Sequence, residues 1–284
     1  MLGMMLAKQA IERGASPWTG TFWANVWLGL IALTVCAVRK EFSPMELWGP
    51  AAATGALFVA GQLLTYLAFQ FGDVSLATPI FGTKVLMVAA LQPFVSGKHL
   101  SMRVWVAGAL AAVGVILIQR SGHRSEGVSR RQVWLTIGLT LGAAFCLSLF
   151  DLFLERWGPR DDVWAAWYHL SAVFAVAMVL SLGFLPKVDS PRQIRKLRAG
   201  RLMLGGTGLM AIQAMSMVYS LSRFGDAARI NIVYSLRGLW GVLLAWALAG
   251  WLGNAEARLS RSVMLQRLGG ALLLTAALVL AVTE

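Results

Sequence analysis

Two cations stand where an apolar sequence has little use for them. Lys84 lies in "DVSLATPIFGTKVLMVAALQ" (73–92) and is the only charged residue between Asp73 and Lys98. Arg237 lies in "INIVYSLRGLWGVLLAW" (230–246). A charge facing hydrocarbon costs at least about 2.5–3.5 kcal/mol, so both side chains are expected to face a bundle interior or a watery cavity. There an ammonium acts as a point charge, while a guanidinium grips a carboxylate or phosphate through two parallel hydrogen bonds. The chemistry implied is capture of the anionic group of a small solute.

Neighbours at helical spacing extend this candidate site. Tyr234 stands three residues before Arg237 and Phe81 three before Lys84, so each pair shares a helix face. Asn231 lies a further turn back. Tyr66, Tyr219, Gln62, Gln213 and His169 are polar side chains within apolar segments and join the candidate substrate-binding set. Each also suits plain interhelical hydrogen bonding, and His169 titrates near neutrality, which fits proton coupling. The structural alternative is that Lys84 and Arg237 neutralise buried carboxylates, for which Asp151 and Glu155 are available. Nothing points to catalysis. The chain has no G-x-x-x-x-G-K-[ST], H-E-x-x-H or G-x-S-x-G pattern, and its three histidines are scattered. No catalytic residue, metal site or cofactor is expected.

The elements that must hold these residues follow from composition. Hydrophobic residues make up 58% of the 284, charged ones 13%, and the mean hydropathy is +0.68. A soluble domain carries about twice that charged fraction, so the solvent is lipid. The net charge of +12 does not imply nucleic acid, because the basic residues sit in short connections between apolar runs. Cys36 and Cys146 read as small apolar core residues. The start, "MLGMMLAKQAIERG", has no basic leader or cleavage site and is not expected to be a signal peptide.

A helix needs about 20 apolar residues to cross the hydrocarbon, since its backbone must be satisfied within the segment. Nine segments meet this, at roughly 18–38, 48–70, 74–96, 101–119, 132–155, 162–185, 201–222, 226–252 and 264–282. Trp18, Trp48, Trp105, Trp134, Trp157, Trp164 and Trp251 fall near their ends, where an amphipathic ring favours the interface.

The chain also repeats itself. Residues 60–87 align without a gap on 213–240, setting Tyr66 on Tyr219, Phe71-Gly72-Asp73 on Phe224-Gly225-Asp226, and Lys84 on Arg237. In the shared triplet, glycine suits the left-handed end of one helix and aspartate caps the next. Glu12-Arg13 matches Glu155-Arg156, which makes the first dozen residues a shortened first helix, for which a mis-assigned start codon is the plain explanation. The expected fold is therefore an all-α integral membrane bundle of ten helices in two inverted five-helix repeats, the first helix N-terminally truncated. Residues 1–120 form the first repeat, 121–131 the connecting loop and 132–284 the second. Lys84 and Arg237 each stand eleven residues beyond the aspartate of their turn, ~16 Å along the helix and near the centre of a ~30 Å core. Gly108, Gly114, Gly138, Gly142, Gly269 and Gly270 would allow close helix packing.

Residues 77–118 resemble the end of a repeat in the drug/metabolite transporter superfamily, specifically the EamA-type carriers. The resemblance rests on a proline-containing helix, a G-x-x-L-S turn at Gly97, Leu100 and Ser101, and a glycine-rich helix. Lys98 stands where the family usually has glutamate, and "EARLS" (256–260) is the second copy. The resemblance implies a secondary transporter of the cell membrane, and with the two cations the expected function is movement of a small anionic or zwitterionic metabolite by alternating access of the two repeats. The alternatives are an exporter of hydrophobic or cationic drugs with structural Lys84 and Arg237, and a non-transporting scaffold. The expected partners are a small-molecule substrate and the bilayer, with no nucleic acid, and with a homodimer left open. The basic connections by themselves put the termini outside, whereas the resemblance implies termini inside.

Overall fold

Runs of apolar residues with few glycine or proline interruptions leave the helix as the way to satisfy a backbone in lipid, and helices are what the chain forms. The computed structural model describes residues 2–71, 80–119, 130–160, 162–236 and 261–283. Eleven α-helices occur among them: α1 (Leu2–Glu12), α2 (Pro17–Arg39), α3 (Trp48–Phe71), α4 (Lys84–Val95), α5 (Met102–Gln119), α6 (Arg130–Trp157), α7 (Val163–Leu182), α8 (Pro191–Lys196), α9 (Gly200–Phe224), α10 (Ala227–Ser235) and α11 (Arg261–Val282). Among the described residues there is no strand.

Five stretches are long and apolar enough to cross a membrane: Pro17–Arg39, Met45–Ala68, Arg130–Trp157, Trp164–Leu182 and Gly200–Phe224. Shorter apolar helices cover Ile80–Val95, Met102–Ile118 and Leu268–Val282. These match the expected segments to within a few residues wherever the chain is described. Trp251, Gly72-Asp73 and residues 237–252 lie outside the described residues.

Caps set several boundaries. Ser16 accepts a hydrogen bond from the Trp18 N–H at the start of α2, and Asp162 accepts from the N–H groups of Trp164 and Ala165 at the start of α7. The second F-G-D copy forms the turn its sequence implies. Gly225 closes α9 in the left-handed conformation at φ 60°, and the Asp226 carboxylate accepts from the Arg229 N–H to open α10.

The main helix pairings are α3 on α6, α5 on α11, α2 on α7 and α1 on α9, with α4 on α6, α3 on α7, and α9 on α2 beside them. Phe58, Phe150 and Phe174 join α3, α6 and α7 at ring separations of 4.8 and 5.4 Å. Glycines set the α5–α11 distance. A Cβ on Gly114 would lie 2.9 Å from the Gly270 carbonyl oxygen, and one on Gly270 would lie 2.7 Å from that of Gly114. Gly138 has nothing within 4 Å, so it makes no such contact, and Gly142 only approaches Leu64.

Two clasps tie α2 to α7, one at each end. The Arg39 guanidinium lies 4.3 Å from the Trp164 ring, and nearby the Tyr168 hydroxyl donates to Glu41. At the other end the Lys187 ammonium lies 4.3 Å from the Trp18 ring. There Asp189 accepts from the Ser16 N–H at 2.6 Å and the Thr19 hydroxyl at 2.8 Å. In each case the segment leaving one helix crosses to the start of the other.

Candidate functional site

Lys84 is not a lone cation. Its ammonium meets the Asp151 carboxylate at 2.6 Å, with side-chain exposures of 14% and 2%. The same carboxylate oxygen accepts from the Asn231 amide at 2.8 Å, and that amide also donates to the Ala227 carbonyl at 2.9 Å. α4, α6 and α10 thus converge on one buried carboxylate. Both side chains that Asp151 holds were candidates from sequence, and Asp151 is the neutralising partner that the structural alternative named.

The junction is off-centre. Asp151 stands six residues before the end of α6, ~9 Å along its axis, and Asn231 only ~6 Å past the start of α10. The sequence register sets Lys84 by its backbone alone, near the centre of the core. The side chain carries the ammonium toward a carboxylate that approaches from the end of α6.

One turn further along the same face of α6 is Glu155, fully buried. It accepts from Lys98 at 2.7 Å and from the Gln92 amide, whose nitrogen is 3.1 Å from each oxygen. The Ala227 N–H approaches it at 3.4 Å. Lys98 also donates to the Gly225 carbonyl at 2.6 Å. The lysine that replaces the usual glutamate of the turn therefore stitches the α4–α5 connection to the end of α6 and the α9–α10 turn. A chain of polar contacts leads from Lys98 through Glu155, the Ala227 backbone and Asn231 to Asp151 and Lys84.

The sequence did not single out Gln92, and it noted Lys98 only as a departure from the family pattern. The available signals were the spacing of Asp151 and Glu155, four residues apart on an apolar helix, and Gln92 eight residues after Lys84 on one face of α4.

The other candidates are dispersed. Gln213 donates to the Tyr234 hydroxyl, pairing α9 with α10. Tyr219 stacks on Trp167 with centroids 5.1 Å apart. Its counterpart Tyr66 packs against Gly20, where a Cβ would come within 2.9 Å of the ring. Each tyrosine thus contacts the opening turns of an earlier helix, α2 for Tyr66 and α7 for Tyr219. The Tyr66 hydroxyl, the Gln62 carbonyl oxygen and both ring nitrogens of His169 are buried without a partner among the described residues. Phe81 sits half-buried just ahead of α4. Arg237 lies outside the described residues.

The turns beside the two cation positions correspond. The Thr83 N–H donates to the Ile80 carbonyl at 3.0 Å, and the Leu236 N–H to the Val233 carbonyl at 3.1 Å. Both are three-residue bonds of the 3₁₀ type, at the N-cap of α4 and the C-cap of α10, where such turns are common. They occupy the same places in the repeat, since 236 − 83 and 237 − 84 are both 153.

Comparison with known proteins finds a family likeness over the first part of the chain. The model of the EamA-like transporter family matches residues 2–120. No curated protein matches the chain. A solved structure, described only as a crystal structure of a protein, is similar with a TM-score of 0.64 at 15% identity, covering 99% of this chain and 95% of its own. That likeness shows a shared fold over nearly the whole length. The chain is thus a multi-pass membrane protein whose residues 2–120 match the model of the EamA-like transporter family, a family of the drug/metabolite transporter superfamily.

Proposed function

We propose that the protein is a secondary carrier of the cell membrane that moves a small zwitterionic metabolite by alternating access of two inverted five-helix repeats. The observation that carries this reading is the buried Lys84–Asp151–Asn231 junction, in which charges of both signs sit at a meeting point of three helices. A solute with its own ammonium and carboxylate exchanges partners with such a pair without leaving a charge bare. A simple anion would strand Asp151. This narrows the substrate from an anion or zwitterion toward the zwitterion.

The helix pairings support the repeat, with residues 1–120 and 132–284 as its halves. If α1 to α5 correspond to α6, α7, α9, α10 and α11, then α3 on α6 answers α9 on α1, and α3 on α7 answers α9 on α2. α4 beside α5 answers α10 beside α11, while α2–α7 and α5–α11 pair with their own counterparts. Carriers built from inverted repeats bind substrate at the repeat interface and rock one repeat against the other.

One observation favours a second reading. Asp151 neutralises Lys84, so the described part of the site no longer repels a cation, and export of hydrophobic cations becomes electrostatically open. A thermal-shift panel in detergent separates the two, using L-amino acids, organic acids, sugar phosphates and cationic dyes. Amino acids are expected to raise the Tm of the native chain, and Lys84→Ala to abolish that rise. Stabilisation by cationic dyes and not by amino acids would establish the second reading instead.

A further inference from the structure

A polar cavity of about 260 Å³ opens between the end of α4, the start of α5 and the start of α10. Gln92, Lys98, His99, Ser101, Asp226 and Arg229 supply its polar lining. The charges on this lining are already balanced locally, Lys98 against Glu155 at 2.7 Å and Arg229 against Asp226 at 3.0 Å. What is not balanced is Gln92. Its side chain is 1% exposed, and its carbonyl oxygen is buried with no partner among the described residues. The amide cannot simply be turned over, because that would face its carbonyl against the Glu155 carboxylate. A buried acceptor without a donor is destabilising, and here it belongs to a side chain that lines a cavity wide enough for a small solute.

We propose that this cavity is a peripheral binding site for the same zwitterionic class of solute, a staging position before the Lys84–Asp151 junction. The solute's ammonium bonds to the Gln92 carbonyl beside Asp226, and its carboxylate faces Lys98 and Arg229. A pure anion would leave Gln92 unanswered, and on a lining whose charges already balance, a solute without net charge leaves that balance intact. The site adjoins the deeper one through the shared polar chain, because Gln92 and Lys98 both bond to Glu155, one turn from Asp151 on α6. This inference rests on the proposed carrier function and extends it to a second locus.

The test is protection from alkylation in the full-length protein. In a Cys36→Ala, Cys146→Ala background, Ser101→Cys supplies a reactive thiol in the cavity, labelled by a small maleimide. A pool of L-amino acids is expected to slow labelling several-fold, while choline and succinate do not. Protection should persist when the deeper site is disabled by Lys84→Ala, or by Asn231→Leu if the first variant does not fold, and it should vanish with Gln92→Leu. Protection lost with the deep-site variants would mean that the signal is relayed from the junction, which overturns the peripheral site. If amino acids raise the native Tm yet never protect this thiol, the carrier reading stands and the cavity proposal falls. If they do neither, both fall.

Discussion

Asp151 is held by two side chains from two different helices, which makes its removal and theirs unequal experiments. Breaking a buried ion pair by deleting one partner costs about 3–5 kcal/mol, whereas replacing both by apolar groups is often neutral. Lys84→Met alone and Asp151→Leu alone should therefore each lower the Tm sharply in detergent, while the double variant recovers most of that loss and stays inactive in proteoliposome transport. A recovered Tm with transport intact would make the pair purely structural. Lys84, Asp151, Asn231 and Glu155 were all visible in the sequence as polar residues in apolar helices. What remained open was their pairing, because the faces that two helices turn toward each other depend on packing and not on the spacing along either one. Gln92 went unremarked, since one amide in an apolar run draws less notice than a charge.

Helix boundaries were legible because lipid imposes a length and because capping residues mark the ends. Ser16, Asp162 and Asp226 each do what their side chains suit them for. Helix contacts were less legible, and the glycines illustrate why. Gly114 and Gly138 look alike in sequence, yet a Cβ on Gly114 meets the Gly270 carbonyl at 2.9 Å and one on Gly138 meets nothing. Gly114→Ala is expected to push α5 off α11 and cost about 1–3 kcal/mol, the usual range for overpacking. Gly138→Ala should instead be neutral or stabilising by up to about 1 kcal/mol, the gain in helix propensity. Thermal denaturation of the two variants side by side checks both signs.

Over the whole molecule, the two α2–α7 clasps use the same parts at opposite ends: a cation over a tryptophan, and a carboxylate on a hydroxyl. They differ in burial. Asp189 accepts two hydrogen bonds in a partly buried setting, whereas Glu41 and Tyr168 meet in the open. Asp189→Ala should cost about 1.5–3 kcal/mol, the range for bonds to a charged group, and Glu41→Ala clearly less by the same denaturation assay. The matching turns at Thr83 and Leu236 carry a different consequence, one of time rather than energy. A helix in lipid should exchange its amide protons very slowly, and slowest at the greatest depth. The tightened turns at Thr83, where α4 begins, and at Leu236, where α10 ends, should protect their amides less than the helices do. In heavy water, deuterium should enter near residues 83 and 236 before it enters the middle of α4 and α10. The order of exchange would then mark these two turns as the places where the fold opens first.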